Sequence, residues 1–459
     1  MKNSFQHIIL ISIDNLRSDC IHASPRYQEY LRQYRVHVAL ETGILDQILS
    51  SGLYFDNCFS AAPYTSASHA AYFTGMWPLH NGIYEFFNRT LRQPTIFQRA
   101  KDQGLTTLFQ TDFPIILGSA LGFTRGIDHY FVENETAAFA ALVRQKRNKT
   151  LSFFHFGAVH YPYGFHTLKF GGKDYVNKVR SLENKYDIPH AKRHTPEDVL
   201  TETFRTKKDS ELLLRYKYII EILYRKGLYD DLFQLYLEGI NYFFRSRFNT
   251  FLAKVQRFVD SHNGILFLFA DHGEDWDFHS EGHHNTLSES VLRVPLVVYG
   301  KNVRPTIEKR LVRTIDLAPT IMTLLPHAAI PSDMDGLPFD LFHSGKTFPF
   351  PSHAISQVWT SLATKKQIAS FQMRSAATPT RARPLKTYLS GESIRTQDRK
   401  FTAYFAKDGS VVRKESTGKV ADLKKMMVTY NHSWSNEGTP LQSVESIIKS
   451  ELSNLGYNV

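Results

Sequence analysis

Two hydrophobic periods alternate along this chain. Short, continuous apolar runs rich in β-branched residues occur at Ile8–Ile13, Thr106–Phe109, Ser152–Phe156, Ile265–Ala270 and Pro295–Tyr299. Runs of that length without alternation predict strands buried on both faces. Between them the apolar positions recur at three- and four-residue steps. From Leu232 to Val259, for example, Leu235, Tyr236, Ile240, Phe243, Phe244, Phe251, Leu252, Val255 and Phe258 share one helical face. Strands alternating with helices predict an α/β sandwich around a mostly parallel sheet. Residues from about His166 to Asp230 break this rhythm. They are charged, aromatic and turn-rich, with a helical stretch near Glu211–Tyr224, and they read as an insertion that caps a site or meets a partner. A second shift comes at Phe348-Pro349-Phe350-Pro351-Ser352, followed by short β-like runs such as Lys400–Phe405. The pattern divides the chain into a catalytic-sized unit, 1–345, and a smaller C-terminal α+β subdomain, 346–459, with a polar tail beyond Met427.

Length changes this picture little, because 459 residues exceed what one core accommodates and agree with two packed units. The net charge of +11 favours anionic partners. No block of five or six consecutive Lys and Arg residues occurs, which argues against nucleic acid and leaves an anionic ester, an acidic membrane surface or simply a scattered basic surface. The apolar run behind the N-terminus is too short to span a bilayer and lacks a small-residue cleavage site. The expectation is a cytoplasmic protein without an integral membrane segment. Two cysteines, Cys20 and Cys58, provide neither a disulfide framework nor a metal cluster and read as small buried residues.

Candidate chemistry begins where two of the runs end. Asp14 directly follows the first strand, and Asp271-His272-Gly273-Glu274 directly follows Ile265–Ala270. Functional groups gather at the carboxyl ends of strands in open α/β sheets. Two carboxylates and an imidazole brought together there suit one divalent metal ion. The segment PYTSASHAAYFTGMWPLHNG (63–82) resembles the nucleophile segment of sulfatases and their relatives in the alkaline phosphatase superfamily, which reads roughly Cys-x-Pro-Ser-Arg-Ala-Ala-x-x-Thr-Gly. Thr65 stands at the Cys position, Ala67 at the Pro and His69 at the Arg. ISIDNLRSD (11–19) and LFADHGEDW (268–276) resemble the two metal motifs of that family. EGHHNTLSESVLRVPLVVYG (281–300) resembles its Gly-His-x-x-Thr-Leu-x-Glu element and the Arg-Val-Pro strand behind it. RTIDLAPTIMTLL (313–325) and SIRTQDRKF (393–401) resemble the closing catalytic element and a strand of the C-terminal subdomain.

This resemblance implies an alkaline-phosphatase-like fold and a set of roles. Asp14, Asp271 and His272 would hold the metal. Thr65 would be the nucleophile, also touching the metal, and His160 and His283 would bind the ester oxyanion or protonate the leaving group. His69 would support the nucleophile turn. Ser66 and Ser68 are rivals to Thr65 that also fit as turn or helix-cap donors.

The departures from the family pattern agree with one another. Threonine cannot become formylglycine, Asn15 replaces a second Asp, His272 replaces Asn, and Leu105–Pro114 lacks the family's Lys-x-His. The imidazole shifts metal preference from Ca toward Mn, Zn or Fe, with Mg also admissible. The expected activity is a sulfatase-family hydrolase of phosphoric or sulfuric esters acting through a covalent Thr65 intermediate, with phosphodiesters or related phosphorus esters preferred. The organic part would be a small molecule or come from a glycan or lipid. The alternatives are a transferase that passes a phospho-alcohol group to a sugar or lipid, and a non-catalytic binding protein.

Overall fold

The computed structural model describes residues 5–85, 89–114, 116–165, 173–188, 207–277, 280–326, 329–342, 349–361 and 387–435. His166, Phe348 and the tail beyond residue 435 lie outside the described residues. The central sheet has eight strands: β1 (His7–Ile13), β2 (Leu53–Phe55), β3 (Thr106–Thr111), β4 (His129–Val132), β5 (Thr150–Phe156), β6 (Gly264–Phe269), β7 (Leu296–Gly300) and β8 (Thr306–Glu308). Their spatial order is β8-β2-β7-β6-β1-β5-β3-β4. The sheet is parallel except for β7, which runs antiparallel to both β6 and β2. The sequence reading of a mostly parallel α/β sheet therefore holds, with one reversed strand.

β1, β5 and β6 lie side by side at the centre, and every residue in them is buried. Burial on both faces explains their unbroken apolar runs, each large side chain contributing about 1.5–3 kcal/mol. The register sets Ile13 beside Phe156 and Ser12 beside Phe269, so all three strands end at one level.

The periodic stretch from Leu232 forms two helices, α4 (Tyr229–Phe243) and α5 (Asn249–Ser261), joined without a break by a π-turn at Phe244–Phe248. One extra residue per turn leaves the apolar repeat legible as a helix while turning Arg247 toward the sheet. The insertion contributes α2 (Lys173–Lys185) and α3 (Lys207–Arg225), with α1 (Thr65–Thr74) preceding them in the chain. Among the described residues no helix is long and apolar enough to cross a membrane.

A smaller antiparallel sheet follows, β9 (Ala354–Ser361), β10 (Thr387–Arg395), β11 (Lys400–Phe405) and β12 (Val411–Thr417), backed by α6 (Ala421–Ser435). It meets the main sheet's layer through Glu289, which binds Arg395 at 2.8 Å, Arg293 at 3.1 Å and Lys400 at 3.3 Å. Burial opposes that carboxylate's charge, but the three cations hold it far below the usual range. The same sheet touches the chain just ahead of α1: the Gln357 N–H donates to the Ala61 carbonyl at 3.2 Å, and the Ser356 hydroxyl donates to that of Ser60.

Candidate active site

Asp14 caps β1, Asp271 follows β6 by two residues, and the 157–165 loop leaves β5. The three neighbouring central strands thus deliver the site. Asp14 Oδ1, Asp271 Oδ2 and His272 Nε2 are fully buried and have no hydrogen-bond partner among the described residues. They face one another: His272 Nε2 lies 3.5 Å from Asp271 Oδ2 and 3.7 Å from Asp14 Oδ1, and the three ligand atoms fall within 4.8 Å.

Their other atoms are all engaged. Asp271 Oδ1 accepts the N–H groups of Asn15 and His272 at 3.1 and 2.9 Å. His272 Nδ1 is 3.0 Å from the Gly273 carbonyl. A carbonyl only accepts, so Nδ1 carries hydrogen and Nε2 is the ring nitrogen that faces the cluster. Three orphaned, buried, mutually facing donor atoms of O,O,N type fit a divalent cation, whereas without one each is a costly burial.

Thr65 begins α1 and is fully buried; its hydroxyl donates to Asp14 Oδ2 at 3.0 Å. No side chain caps this helix at Tyr64, which leaves first-turn N–H groups for an anion. Ser66 Oγ is buried without a hydrogen-bond partner among the described residues, while Ser68 donates to the Asp271 carbonyl at 2.8 Å. His69 is locked between the Thr65 carbonyl at 2.8 Å and Ser12 Oγ at 2.9 Å. Burial drives its pKa down to about 3, so it is a neutral strut under the turn. The Arg17 and Asp19 of the first motif pair with each other at 2.8 and 2.9 Å. Tyr236 of α4 pins the loop between them and Asp14, accepting from the Arg17 N–H and donating to the Asn15 carbonyl.

Two groups receive no role from the sequence. His155 on β5 puts Nε2 3.2 Å from Asp14 Oδ2, with burial lowering its pKa to about 4. Glu274 accepts from Asn15 Nδ2 at 2.8 Å, the Asp275 N–H at 3.1 Å, the Tyr163 hydroxyl at 3.3 Å and His283 Nδ1 at 3.1 Å. Burial raises its pKa. The polar residue inside the run Ser152–Phe156 was the one available signal for His155.

His283 stacks on His272 with ring centres 4.2 Å apart, and His160 meets His283 edge-on at 5.2 Å. His160 Nδ1 bonds the Tyr161 carbonyl at 2.9 Å. The loop carrying it is tight: the Gly164 N–H reaches the Ala158 carbonyl, and a Cβ on Gly164 would meet the Gly239 backbone of α4 at 2.8 Å. Burial, then the Asp271 charge, push Asp14 well above its ordinary pKa. Burial opposes the Asp271 charge too, but His272, His69 and His155 hold its pKa below normal.

Where the family carries Lys-x-His, this chain has Asp112, bound by Arg247 at 2.7 and 2.9 Å; Arg247 also takes Glu135 at 2.9 and 3.0 Å. A cavity of about 430 Å³ lies beyond Arg247, lined by Phe139, Phe165, Tyr242 and Lys254 among others. Glu135 and Arg247 line it, whereas Asp14, Thr65, His160, Asp271, His272 and His283 do not.

The fold places this chain beside solved structures of known kind. The structure of BT4656 in complex with its substrate D-glucosamine-2-N,6-O-disulfate superposes with a TM-score of 0.63 at 16% identity, covering 96% of this chain and 100% of that one. The phosphonate monoester hydrolase of Silicibacter pomeroyi gives 0.57 at 14% identity, over 93% and 95%. BT1596, a 2-O glycosaminoglycan sulfatase, gives 0.57 at 15%, over 97% and 96%. Identities this low speak for the fold alone. No curated protein matches the sequence. The family model described as sulfatase matches residues 6–327, from the strand before Asp14 to beyond the last catalytic element. On that match, the chain belongs to the sulfatase family.

Proposed function

We propose that this protein is a metal-dependent ester hydrolase of the threonine-nucleophile branch of the family, acting on a phosphodiester, phosphonate ester or sulfate ester, with phosphorus esters preferred. The observation that carries the reading is the Thr65 hydroxyl, 3.0 Å from Asp14 Oδ2 beside three orphaned donor atoms. Asp14, Asp271 and His272 would hold one divalent cation, Mn, Zn or Fe rather than Ca, which lowers the pKa of a nearby hydroxyl and offsets ester charge.

Thr65 Oγ1 attacks phosphorus or sulfur in line. Its bond forms as the bond to the departing alcohol breaks, and its hydrogen already points at Asp14 Oδ2. The first N–H groups of α1 receive the non-bridging oxygens. His160 and His283 present Nε2 to the leaving side, where one of them protonates the alcohol as it departs. Water then cleaves the Thr65 ester and restores the hydroxyl. Residues 1–345 would form the catalytic unit, with 346–459 buttressing it.

The test is turnover of aryl sulfate, phosphate monoester, phosphodiester and phosphonate substrates with Mn²⁺ or Zn²⁺, with the Thr65→Ala variant alongside. Labelled ester should be trapped on Thr65. Turnover that survives Thr65→Ala would remove the proposed nucleophile.

A further inference from the structure

The cavity of about 430 Å³ beyond Arg247 stands apart from the site at Thr65. Pockets for small molecules fall in that size range, and like them it is lined mostly by apolar and aromatic side chains with a few polar groups. It lies between the helix Glu135–Arg144, the π-turn with the start of α5, and both ends of the loop that carries His160. Phe165 stacks on Tyr242 at 4.4 Å, and Phe139 meets Phe251 edge-on at 6.1 Å. These ring contacts fix the apolar walls in advance of any ligand. Ser246 and Arg247 of the π-turn face the same space, and π-turns recur at functional sites.

The polar groups of the walls differ in how they are engaged. Arg247 spends its guanidinium on Asp112 and Glu135, so all four oxygens of those carboxylates accept a hydrogen bond. Lys254, one turn after Thr250 on α5, is exposed and has no ion-pair partner among the described residues. The hydroxyls of Thr250 and of Thr136 on the facing helix likewise make no hydrogen bond among the described residues. The charge left open to a ligand at this wall is therefore positive, and it stands at the exposed edge of an aromatic slot.

We propose that this cavity is a second binding site, for an amphipathic organic acid whose apolar body lies between Phe139, Phe165, Tyr242 and Phe251 and whose carboxylate is received by Lys254. The site is separate from the one at Thr65 and stands whether or not an ester is cleaved there. Because Ala158, Gly164 and Phe165 form part of its wall, a bound acid touches both ends of the loop that carries His160.

The experiment titrates the Mn²⁺-loaded full chain calorimetrically with 2-naphthoate, with neutral 2-naphthamide and with cationic 2-naphthylmethylammonium, which share the ring system and differ in charge. Naphthoate should bind about tenfold more tightly than the amide, the effect of a charge-assisted hydrogen bond, and the ammonium most weakly. Lys254→Met should bring naphthoate down to the amide, and Lys254→Arg should keep most of the difference. Thr250→Trp, which fills the slot, should abolish binding of both. Bound naphthoate should slow amide hydrogen exchange in 157–165, in Thr65→Ala as in the unaltered protein. No binding at millimolar naphthoate, tighter binding of the ammonium, a preference that survives Lys254→Met, or displacement of naphthoate by inorganic phosphate, which would place it in the site at Thr65, would each overturn the assignment.

Discussion

Two clusters of buried charge lie at the carboxyl ends of the same sheet, and they are finished differently. In the Asp112–Arg247–Glu135 cluster, Arg247 binds both carboxylates in bidentate fashion. Asp112 also accepts the Gly157 N–H at 3.0 Å and Gln110 Nε2 at 3.0 Å. In the Asp14–Asp271–His272 cluster, three donor atoms face one another without a hydrogen-bond partner among the described residues. The first is closed on itself and holds β3, the His160 loop and the π-turn together. The second leaves one ligand-type atom of each residue unsatisfied among the described residues, which is what the proposed metal ion would engage. Charge and burial alone do not distinguish them; the tally of satisfied atoms does.

The comparison can be broken by experiment, beginning with the largest effect. Removing the hydroxyl beside the incomplete cluster with Thr65→Ala should lower kcat about 10⁴-fold or more, while Mn²⁺ binding measured by calorimetry persists. Arg247→Met should destabilise the fold by about 3–5 kcal/mol in urea unfolding, because it strands two carboxylates. Unchanged stability would show that the closed cluster is not structural.

Acid should act on the incomplete cluster. His155 is held near pKa 4 when folded against 6.5 when free, so between those values the unfolded chain binds the extra proton. Stability should therefore fall as pH drops from 6.5 to about 4, by about 3 kcal/mol from this residue. In metal-free protein, His155→Gln should flatten that slope; an identical slope would refute the assignment. The smallest effect is on ligand-linked stability. Mn²⁺ at about a hundredfold over its Kd should stabilise the protein by about 2.7 kcal/mol. Asp271→Asn should abolish that gain and Arg247→Met should preserve it.

Much of the incomplete cluster was legible in the sequence, because Asp14 and Asp271 stand where continuous apolar runs stop. The rest was not, for physical reasons. His155 acts on a carboxylate 141 residues away, and the same periodicity that marks its strand as buried conceals that partnership. Glu274 was visible beside His272, but three of its four donors, from Asn15, Tyr163 and His283, lie outside its own turn. An apolar run has no direction, so the reversal of β7 is set by its connections and not by its composition. The π-turn preserves a helical repeat, so Arg247 gave no sign of facing Asp112.

One contact described above bears on how the protein comes to be made. The backbone just ahead of Thr65, at Ser60 and Ala61, is held by Ser356 and Gln357, almost three hundred residues later in the chain. During synthesis the threonine's approach stays without that brace until the C-terminal sheet begins to emerge. Contacts so distant in sequence also slow folding. A growing chain therefore carries Asp14, Asp271 and His272 before the approach to Thr65 is fully secured.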